Sequence, residues 1–157
     1  MTAAKPVPVP GQALSPYLIV RGAVEAILFY TRAFGAQEQF RLCEPSGKVG
    51  HAELLIGGSR IMLADESPQM GNKSPQTLGG SGTGLMLYVT DVDDTFQRAV
   101  SGGGKIVQAV KDQFYGDRSG TLADPFGHQW TIGTHIEDVA PEEMQRRMDE
   151  ATKAAAR

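Results

Sequence analysis

The sequence contains a single cysteine, Cys43, and no large excess of charge of either sign. One cysteine cannot form an internal disulfide, which is typical of proteins in a reducing cytoplasm, so we expect a cytoplasmic location. Lys and Arg number 15 against 18 Asp and Glu, giving a formal net charge of -3. General binding to nucleic acid or to an anionic membrane favours a basic face, so this balance argues against both.

Long apolar runs are also missing. No stretch approaches the roughly 20 residues that cross a bilayer. Residues 1–11 carry one Lys and no continuous apolar segment, so no signal peptide is predicted. The chain is nevertheless 41% hydrophobic over 157 residues, which is enough for a core in one domain or in two small halves. Its 19 Gly and 9 Pro indicate many turns and hence many strands.

The order of predicted elements repeats along the chain, which indicates an internal duplication. The first set is a strand, a helix and three strands, predicted at residues 16–21, 23–34, 37–43, 49–56 and 60–65. The second set has a helix that begins after Asp91, and its four strands are predicted at residues 85–90, 105–110, 121–124 and 129–134. Phe29 matches Phe96, and Val20 matches Val89, at an offset of about 67–69 positions.

This repeat divides the chain into five parts. They are a flexible leader, a first βαβββ module, a linker loop, a second βαβββ module and a polar C-terminal helix, predicted at residues 1–14, 15–66, 67–84, 85–135 and 136–157. Alternating Pro and Val in the leader favour extension over helix. The linker is rich in Gly and Pro. Pro141, followed by two Glu, indicates where the last helix begins.

Several motifs resemble those of the vicinal oxygen chelate superfamily, which contains glyoxalase I, the bleomycin- and fosfomycin-resistance proteins and extradiol dioxygenases. They are the helix text FYTRAFGA at 29–36 and the turn DPFGH at 124–128. HAEL at 51–54, DQFYGDR at 112–118 and DPFGHQW at 124–130 resemble its PhnB-like branch more narrowly. The resemblance implies an α+β fold of two βαβββ modules with half-open barrel sheets, and a homodimer.

The resemblance also implies a divalent metal, held by His, Gln or Glu from the first and last strands of each module. Counted along the family pattern, the four ligand positions fall on Ser15, Met62, Gly84 and Thr131. Gly has no side chain, Met is a soft ligand, and neutral hydroxyls bind a hard metal poorly by themselves. No metal or other cofactor is therefore predicted, although a divalent metal with displaced ligands, such as Glu66, is the alternative.

His51 and Glu53 are the candidate catalytic residues. They lie two apart on a predicted strand and therefore share one face with Leu55. If that face lines the cavity, the imidazole and the carboxylate could act as general acid and base, or could orient a polar ligand. The alternative is an exposed edge where both contact water.

The candidate ligand-binding residues come from the second module. Gln113, Tyr115 and Arg118 lie in its densest polar and aromatic run. The planar guanidinium of Arg118 could bind a carboxylate or phosphate, with Asp117 holding it in place, or the two could form a surface ion pair. The resemblance points the side chain of Thr131 inward. We expect these four residues to converge with the candidate catalytic pair on one cavity.

Three classes of function stay open. The first is an enzyme acting on a small polar or anionic metabolite, as a lyase, an isomerase or a dioxygenase-like protein. The second is a metal-free protein that sequesters such a molecule, as the bleomycin-resistance proteins do. The third is an interaction module that recruits a partner through Met144 and Met148 on the C-terminal helix. His135 is predicted to lie on the surface, Trp130 in the core, and Cys43 as a small hydrophobic strand residue.

The ligand positions lead to a test of metal content. Protein purified without chelator is expected to hold much less than one Zn, Ni, Mn or Fe per chain, because the four positions offer no carboxylate or imidazole. Elemental analysis by plasma mass spectrometry measures this directly. One ion per chain that survives dialysis would contradict the expectation and favour a metal-dependent lyase or dioxygenase.

Overall fold

The computed structural model describes residues 4–156, and the chain divides into two compact units. The first unit extends to Ser81 and the second begins at Gly82. Each contains one βαβββ module with an open four-stranded mixed sheet, so the predicted α+β fold of two modules is confirmed. Within the described residues, no helix combines the length and the apolar character that crossing a membrane requires.

The first unit follows the predicted element order. Its main elements are β1, α1, β2, β3 and β4, at Tyr17–Val20, Ala23–Phe34, Gln37–Cys43, Val49–Ile56 and Ser59–Asp65. The order in the sheet is β1-β4-β3-β2, with β1 parallel to β4 and the other pairs antiparallel. The bounds of α1, β2 and β3 are as predicted.

The segment predicted as a linker loop contains two short helical turns that were not predicted from the sequence. A 3-10 helix forms at Pro68–Met70 and a one-turn helix, α2, at Pro75–Leu78. The Ser74 side chain accepts a hydrogen bond from the backbone N–H of Thr77, and Pro75 occupies the first helical position. Ser74 followed by Pro75 is an ordinary N-cap signal that is visible in the sequence. The many Gly and Pro residues around it favoured the prediction of a loop instead.

The second unit repeats the first. Its elements are β5, α3, β6, β7, β8 and α4, at Gly84–Tyr88, Val92–Ser101, Lys105–Asp112, Asp117–Ala123, Gln129–His135 and Pro141–Ala155. The sheet order is β5-β8-β7-β6, again with one parallel pair, β5 with β8. The predicted start of β7 at residue 121 is wrong by four residues. The polar run that precedes it has no alternating apolar pattern, and pairing with β8 makes it a strand.

Each sheet buries one face under its own helix. In the first unit the apolar face of α1 packs on β3 and β4, whose residues on that side include the fully buried Leu54 and Leu63, and Val20 of β1 is fully buried as well. In the second unit α3 covers Leu122, Ile132 and the predicted core residue Trp130, whose indole Nε1 donates to Asp124 Oδ2 at 2.9 Å. The opposite face of each sheet carries partly exposed side chains.

The edge strands β2 and β6 are the irregular members of the sheets. The register between β2 and β3 shifts between Glu38 and Phe40 and again between Leu42 and Cys43. β6 shifts twice against β7 in the same way. Phe40, Leu42 and Cys43 are exposed. Cys43 therefore lies on a strand, as expected, but does not pack as a buried hydrophobic residue.

A carboxylate connects three elements of the first unit. Asp65, at the end of β4, accepts hydrogen bonds through Oδ1 from the backbone N–H groups of Gly22 and Ala23, at 3.0 and 2.8 Å. Its Oδ2 accepts from the N–H of Val49, at the start of β3, at 2.8 Å. Since Gly22 has no side chain to cap α1, Asp65 supplies the acceptor and places negative charge at the helix N-terminus.

The second unit uses a hydroxyl at the equivalent place. Thr134, near the end of β8, accepts from the backbone N–H of Val92 at 3.0 Å and donates to the carbonyl of Val89 at 2.9 Å. It lies 134 − 65 = 69 positions after Asp65, which is within the offset of the repeat. Both modules therefore fasten the helix to the last strand through a side chain of that strand.

The segment between β8 and α4 is held mainly by polar contacts. The backbone N–H groups of Ile136 and Glu137 both donate to the carbonyl of Gly116, at 2.9 and 3.0 Å. Gly116 has φ +100°, and a Cβ there would collide with the Glu137 carbonyl oxygen, so only glycine fits. Arg147 of α4 donates to the carboxylate of Glu137 and to the carbonyl of Phe114. None of the residues of α4 is buried.

Replacing Asp65 tests how much the first unit depends on this carboxylate. Asp65→Ala leaves three partly buried N–H groups without their acceptor, so unfolding free energy should fall by about 1–3 kcal/mol. Urea denaturation followed by circular dichroism measures it. Asp149→Ala, at an exposed carboxylate of α4, is the matched control and should change stability by less than about 0.5 kcal/mol. Equal effects of the two substitutions would refute the assigned role.

Candidate functional site

The face of the first sheet that points away from α1 carries the predicted catalytic pair. Along β3, Ala52 and Leu54 are fully buried on the α1 side, and His51, Glu53 and Leu55 alternate with them and are partly exposed. The prediction that His51 and Glu53 share one face is confirmed, because strand alternation fixes it.

Neighbouring strands add further side chains to this face. In the ladder Tyr17 of β1 is opposite Met62 of β4, Met62 is opposite Glu53, and Glu53 is opposite Phe40 of the edge strand β2. Residues directly opposite each other project to the same side of a sheet. His51 is likewise opposite Leu42. The row crosses the full width of the first sheet.

Polar side chains on this face form a hydrogen-bonded chain. The Tyr17 hydroxyl lies 2.8 Å from His51 Nδ1, and His51 Nε2 lies 3.3 Å from Glu53 Oε1. Arg60 Nη1 lies 3.4 Å from the other oxygen, Glu53 Oε2. A carboxylate only accepts, so the imidazole tautomer that satisfies both contacts has its proton on Nε2 and accepts from Tyr17 at Nδ1. Burial raises the pKa of Tyr17, which keeps this hydroxyl protonated at neutral pH.

Two aromatic rings flank the imidazole. The ring centroids of Tyr17 and Phe40 lie 5.5 and 5.7 Å from that of His51, at tilts of 52° and 42°. Both rings are about half exposed, at 47% and 44%. We call Tyr17, Phe40, His51, Glu53 and Arg60 the first-sheet cluster. It combines apolar surface that a ligand can contact with polar groups that already form hydrogen bonds to one another.

Arg60 is the least exposed member of the first-sheet cluster. Its side chain is 11% exposed, and within the described residues its Nε–H is buried without a hydrogen-bond acceptor. Its backbone N–H and carbonyl both bond to the side-chain amide of Gln12, at 2.8 and 2.7 Å. Gln12 therefore ties part of the predicted flexible leader to β4, while residues 1–3 of that leader lie outside the described residues.

Of the predicted ligand-binding residues of the second unit, Gln113, Tyr115 and Thr131 bond to Ser119 or Thr121 of β7, whereas Arg118 lies apart from them. Gln113 Nε2 donates to the carbonyl of Ser119 at 3.2 Å, and the Tyr115 hydroxyl lies 3.3 Å from Ser119 Oγ. Both therefore brace the turn between β6 and β7. Thr131 shares a hydrogen bond of 2.9 Å with Thr121, on the face of the second sheet that points away from α3.

Arg118 lies on the other face of the second sheet, which corrects its expected position beside Thr131. It is opposite Thr134 in the ladder, and its guanidinium bonds to Asp93 of α3 and to Asp112, at 2.8 to 2.9 Å. These two carboxylates raise the pKa of Arg118 above its ordinary value, and Arg118 lowers that of Asp93. The predicted partner of Arg118, Asp117, bonds elsewhere. Convergence of residues from the two units on one cavity stays a prediction.

The residues at the metal positions implied by the resemblance do not fit a metal. Ser15 precedes β1, Gly84 begins β5, Met62 is opposite Tyr17, and the Thr131 hydroxyl is paired with Thr121. In the part of the chain that the structure describes, no three His, Cys, Asp or Glu side chains are grouped so that they could hold a metal ion.

Glu66, the candidate displaced ligand, is occupied by donors of its own unit. Its Oε2 accepts from the Thr77 hydroxyl and from the N–H and hydroxyl of Ser74, and its Oε1 accepts from Arg21. These bonds, with that of Thr77 the strongest, lower the pKa of Glu66 from 4.5 to about 2. The carboxylate fixes the segment around α2.

Sequence reasoning missed three members of the first-sheet cluster: Tyr17, Phe40 and Arg60. Each lies on a different strand, so no local pattern joins them to His51. The signal was the alternation within each strand, combined with a strand order that only the ladder supplies.

Comparisons with known proteins agree with this architecture. The sequence model described as Glyoxalase/Bleomycin resistance protein/Dioxygenase superfamily matches residues 13–132. An uncharacterized protein of Mycobacterium bovis is 49% identical over 139 residues, which cover 87% of this chain and 91% of that protein. The crystal structure of TioX from Micromonospora is 27% identical with a TM-score of 0.61, covering 78% of this chain and 98% of TioX.

A PhnB protein from Bacillus cereus shares the fold as well. It is 20% identical with a TM-score of 0.63, and the match covers 78% of this chain and 99% of the other. At that identity the likeness concerns the fold alone. The superfamily predicted from the motifs is therefore confirmed, and the reaction is left to the geometry of the site.

The surroundings of Glu66 give a prediction about acid stability. Because folding lowers its pKa from 4.5 to about 2, this carboxylate stabilises the fold above pH 4.5, and the contribution is lost as the pH falls toward 2. Glu66→Gln should be less stable than the wild type at neutral pH and should lose less stability over that interval. Thermal denaturation at a series of pH values measures both.

Glu44→Gln, at an exposed carboxylate in the turn after β2, is the matched control. It should follow the wild-type profile. A Glu66→Gln profile parallel to that of the wild type down to the lowest pH would show that Glu66 does not carry this part of the acid transition.

Proposed function

Since this chain belongs to the Glyoxalase/Bleomycin resistance protein/Dioxygenase superfamily, we propose that it binds a small polar metabolite on the open face of its first sheet. The contacts are made by the first-sheet cluster, without the usual metal of the superfamily. The strand ladder of the first sheet aligns these five side chains.

The observation that carries this proposal is the position of His51. Its ring lies between two half-exposed aromatic rings and within a continuous hydrogen-bonded chain from Tyr17 to Arg60. Binding sites for small molecules combine apolar walls with a few polar groups that fix orientation. The largely covered side chains of Arg60 and Glu53 beside half-exposed rings distinguish this face from an ordinary solvated surface.

The donors and acceptors of the site favour a particular ligand. The proton of Tyr17 is committed to His51, so the partly exposed hydroxyl oxygen keeps lone pairs that accept from a ligand O–H or N–H. The rings of Tyr17 and Phe40 suit a flat apolar portion. Glu53 and Arg60 largely neutralise each other. The ligand is therefore neutral, flat and equipped with a hydrogen-bond donor.

The anionic ligand expected from the sequence has weaker support than the polar one. That expectation depended on Arg118, whose guanidinium is already bonded to the carboxylates of Asp93 and Asp112. A ligand anion would have to compete with both of them. The first-sheet cluster offers no cation that is free of a carboxylate.

Acid–base catalysis is the second candidate, and the orientation of His51 by Glu53 favours it. A carboxylate that holds one ring nitrogen fixes the tautomer and the orientation of the ring. In this arrangement Tyr17 would face the ligand and exchange its proton with His51 Nδ1. Both ring nitrogens of His51 already form hydrogen bonds, so simple binding is the primary proposal. Recovery of an unchanged ligand after incubation with the protein supports binding, whereas recovery of an altered ligand supports catalysis.

A fragment titration tests the binding proposal. The probes are phenol, which has a ring and a donor, cyclohexanol, which has the donor alone, and benzoate, which is an anion of similar size. Phenol should shift the backbone NMR resonances of β1, β2 and β3 with a dissociation constant in the millimolar range. Phe40→Ala should weaken that binding about two- to tenfold, the usual worth of an aromatic contact.

Ile106→Ala is the matched control, since it removes an exposed apolar side chain from the other edge strand, β6. It should leave phenol binding unchanged. Absence of phenol shifts on the first sheet would overturn the proposal. Tighter binding of benzoate than of phenol at the same resonances would overturn the preference for a neutral ligand.

A further inference from the structure

His135 of the second unit lies between two carboxylates. Its Nδ1 is 2.7 Å from Asp117 Oδ1, and its Nε2 is 2.8 Å from Asp138 Oδ1. The imidazole thus connects the end of β8 both to the start of β7 and to the segment 136–140, which leads into α4. This cluster is separate from the proposed ligand site. His135 was expected from the sequence to lie on the surface, and neither of its two hydrogen bonds was predicted.

The two carboxylates have different surroundings. The side chain of Asp117 is 4% exposed and also accepts from the Tyr88 hydroxyl at 2.7 Å, whereas that of Asp138 is fully exposed. Burial makes it costly to deprive Asp117 of a donor. Asp138 can exchange the imidazole for water at little cost.

A neutral imidazole cannot satisfy this geometry. It carries one N–H, whereas both ring nitrogens here face carboxylate oxygens, which only accept. Only the imidazolium donates to both. After loss of a proton the remaining N–H serves the buried Asp117, and the lone pair of Nε2 then faces Asp138, so that contact becomes repulsive.

The geometry points to a pH-sensitive latch: we propose that protonated His135 holds the segment 136–140 to the second sheet through Asp138, and that its deprotonation releases the segment and loosens α4. The other groups that face His135 or its partners are Tyr88 on β5 and Asp117 on β7. Glu137 and Arg147 pair beside it and keep their charges in the same pH range.

The local structure suits such a device. The segment 136–140 is otherwise held by two backbone bonds to Gly116 and by the contacts of Arg147. Since no residue of α4 is buried, its release exposes less apolar surface than the release of a core helix would. Asp138 and Asp117 raise the pKa of His135 above its ordinary 6.5. The latch is therefore closed below pH 6.5 and opens as the pH rises through that raised pKa.

Amide hydrogen exchange in the full-length protein tests the proposal. The reporters are the amides of Ile136 and Glu137, whose protection factors correct for the intrinsic pH dependence of exchange. Protection should fall about two- to fivefold between about pH 6 and about pH 9, the range expected for an exposed charged contact. NMR titration of the three imidazoles, with His135→Gln to assign the signal, gives the pKa of His135 in parallel.

Asp138→Asn separates the latch from a general effect of pH. It should show the lower protection already at pH 6, little further change with pH, and a lower pKa for His135. Asp149→Asn, at an exposed carboxylate of α4 outside the cluster, is the matched control and should behave as the wild type. If Asp138→Asn also matches the wild type, or if His135 titrates at or below 6.5, the latch is overturned.

Discussion

The carboxylate of Asp65 is the interaction on which the first unit depends. It accepts from the two N–H groups at the start of α1 and from the first N–H of β3 while belonging to β4 itself. The helix is thereby fixed over one face of the sheet, and the other face stays open. The proposed ligand site depends on this placement of α1, because the first-sheet cluster occupies the face that the helix leaves uncovered.

The two modules place different chemistry on equivalent rows. In the first sheet the row runs through Tyr17, Met62, Glu53 and Phe40. In the second it runs through Met86, Thr131, Thr121 and Gln108. The first row carries a charge and aromatic rings, and the second carries hydroxyl and amide groups. The duplication thus preserved the backbone while the side chains of the open faces diverged, which is why the fold alone does not identify a ligand.

The sequence predicted most of the fold because apolar periodicity is a local property. The helix of the first module and the strands β2 and β3 were located to the residue. Helix α1 and strand β3 have periodic buried faces, whereas β2 is bounded in the sequence by Gly35 and by the turn that contains Pro45 and Gly47. The start of β7 was missed because Asp117 to Gly120 owe their strand conformation to pairing with β8. Because residue 118 was not assigned to a strand, alternation could not show on which face of the second sheet its side chain lies. Arg118 in fact lies beside Asp93 of α3, on the face opposite Thr131.

The candidate site was only partly predictable for the same reason. His51 and Glu53 lie on one strand, so alternation places them on one face. Tyr17, Phe40 and Arg60 reach them through pairings between strands that are distant in sequence. A single sequence does not state strand order or register, and both are needed to bring these side chains together.

The irregular register of β2 and β6 bears on whether further strands can add to the edges of the two sheets. Both strands have one unpaired edge and carry exposed apolar side chains, among them Leu42 and Ile106. A flat edge of that kind is a template on which further chains can add strands and grow an aggregate. The shifts in β2 and β6 interrupt the even spacing of backbone donors and acceptors that such growth needs. The bulges thus oppose the addition of further strands at the two edges that carry these apolar side chains.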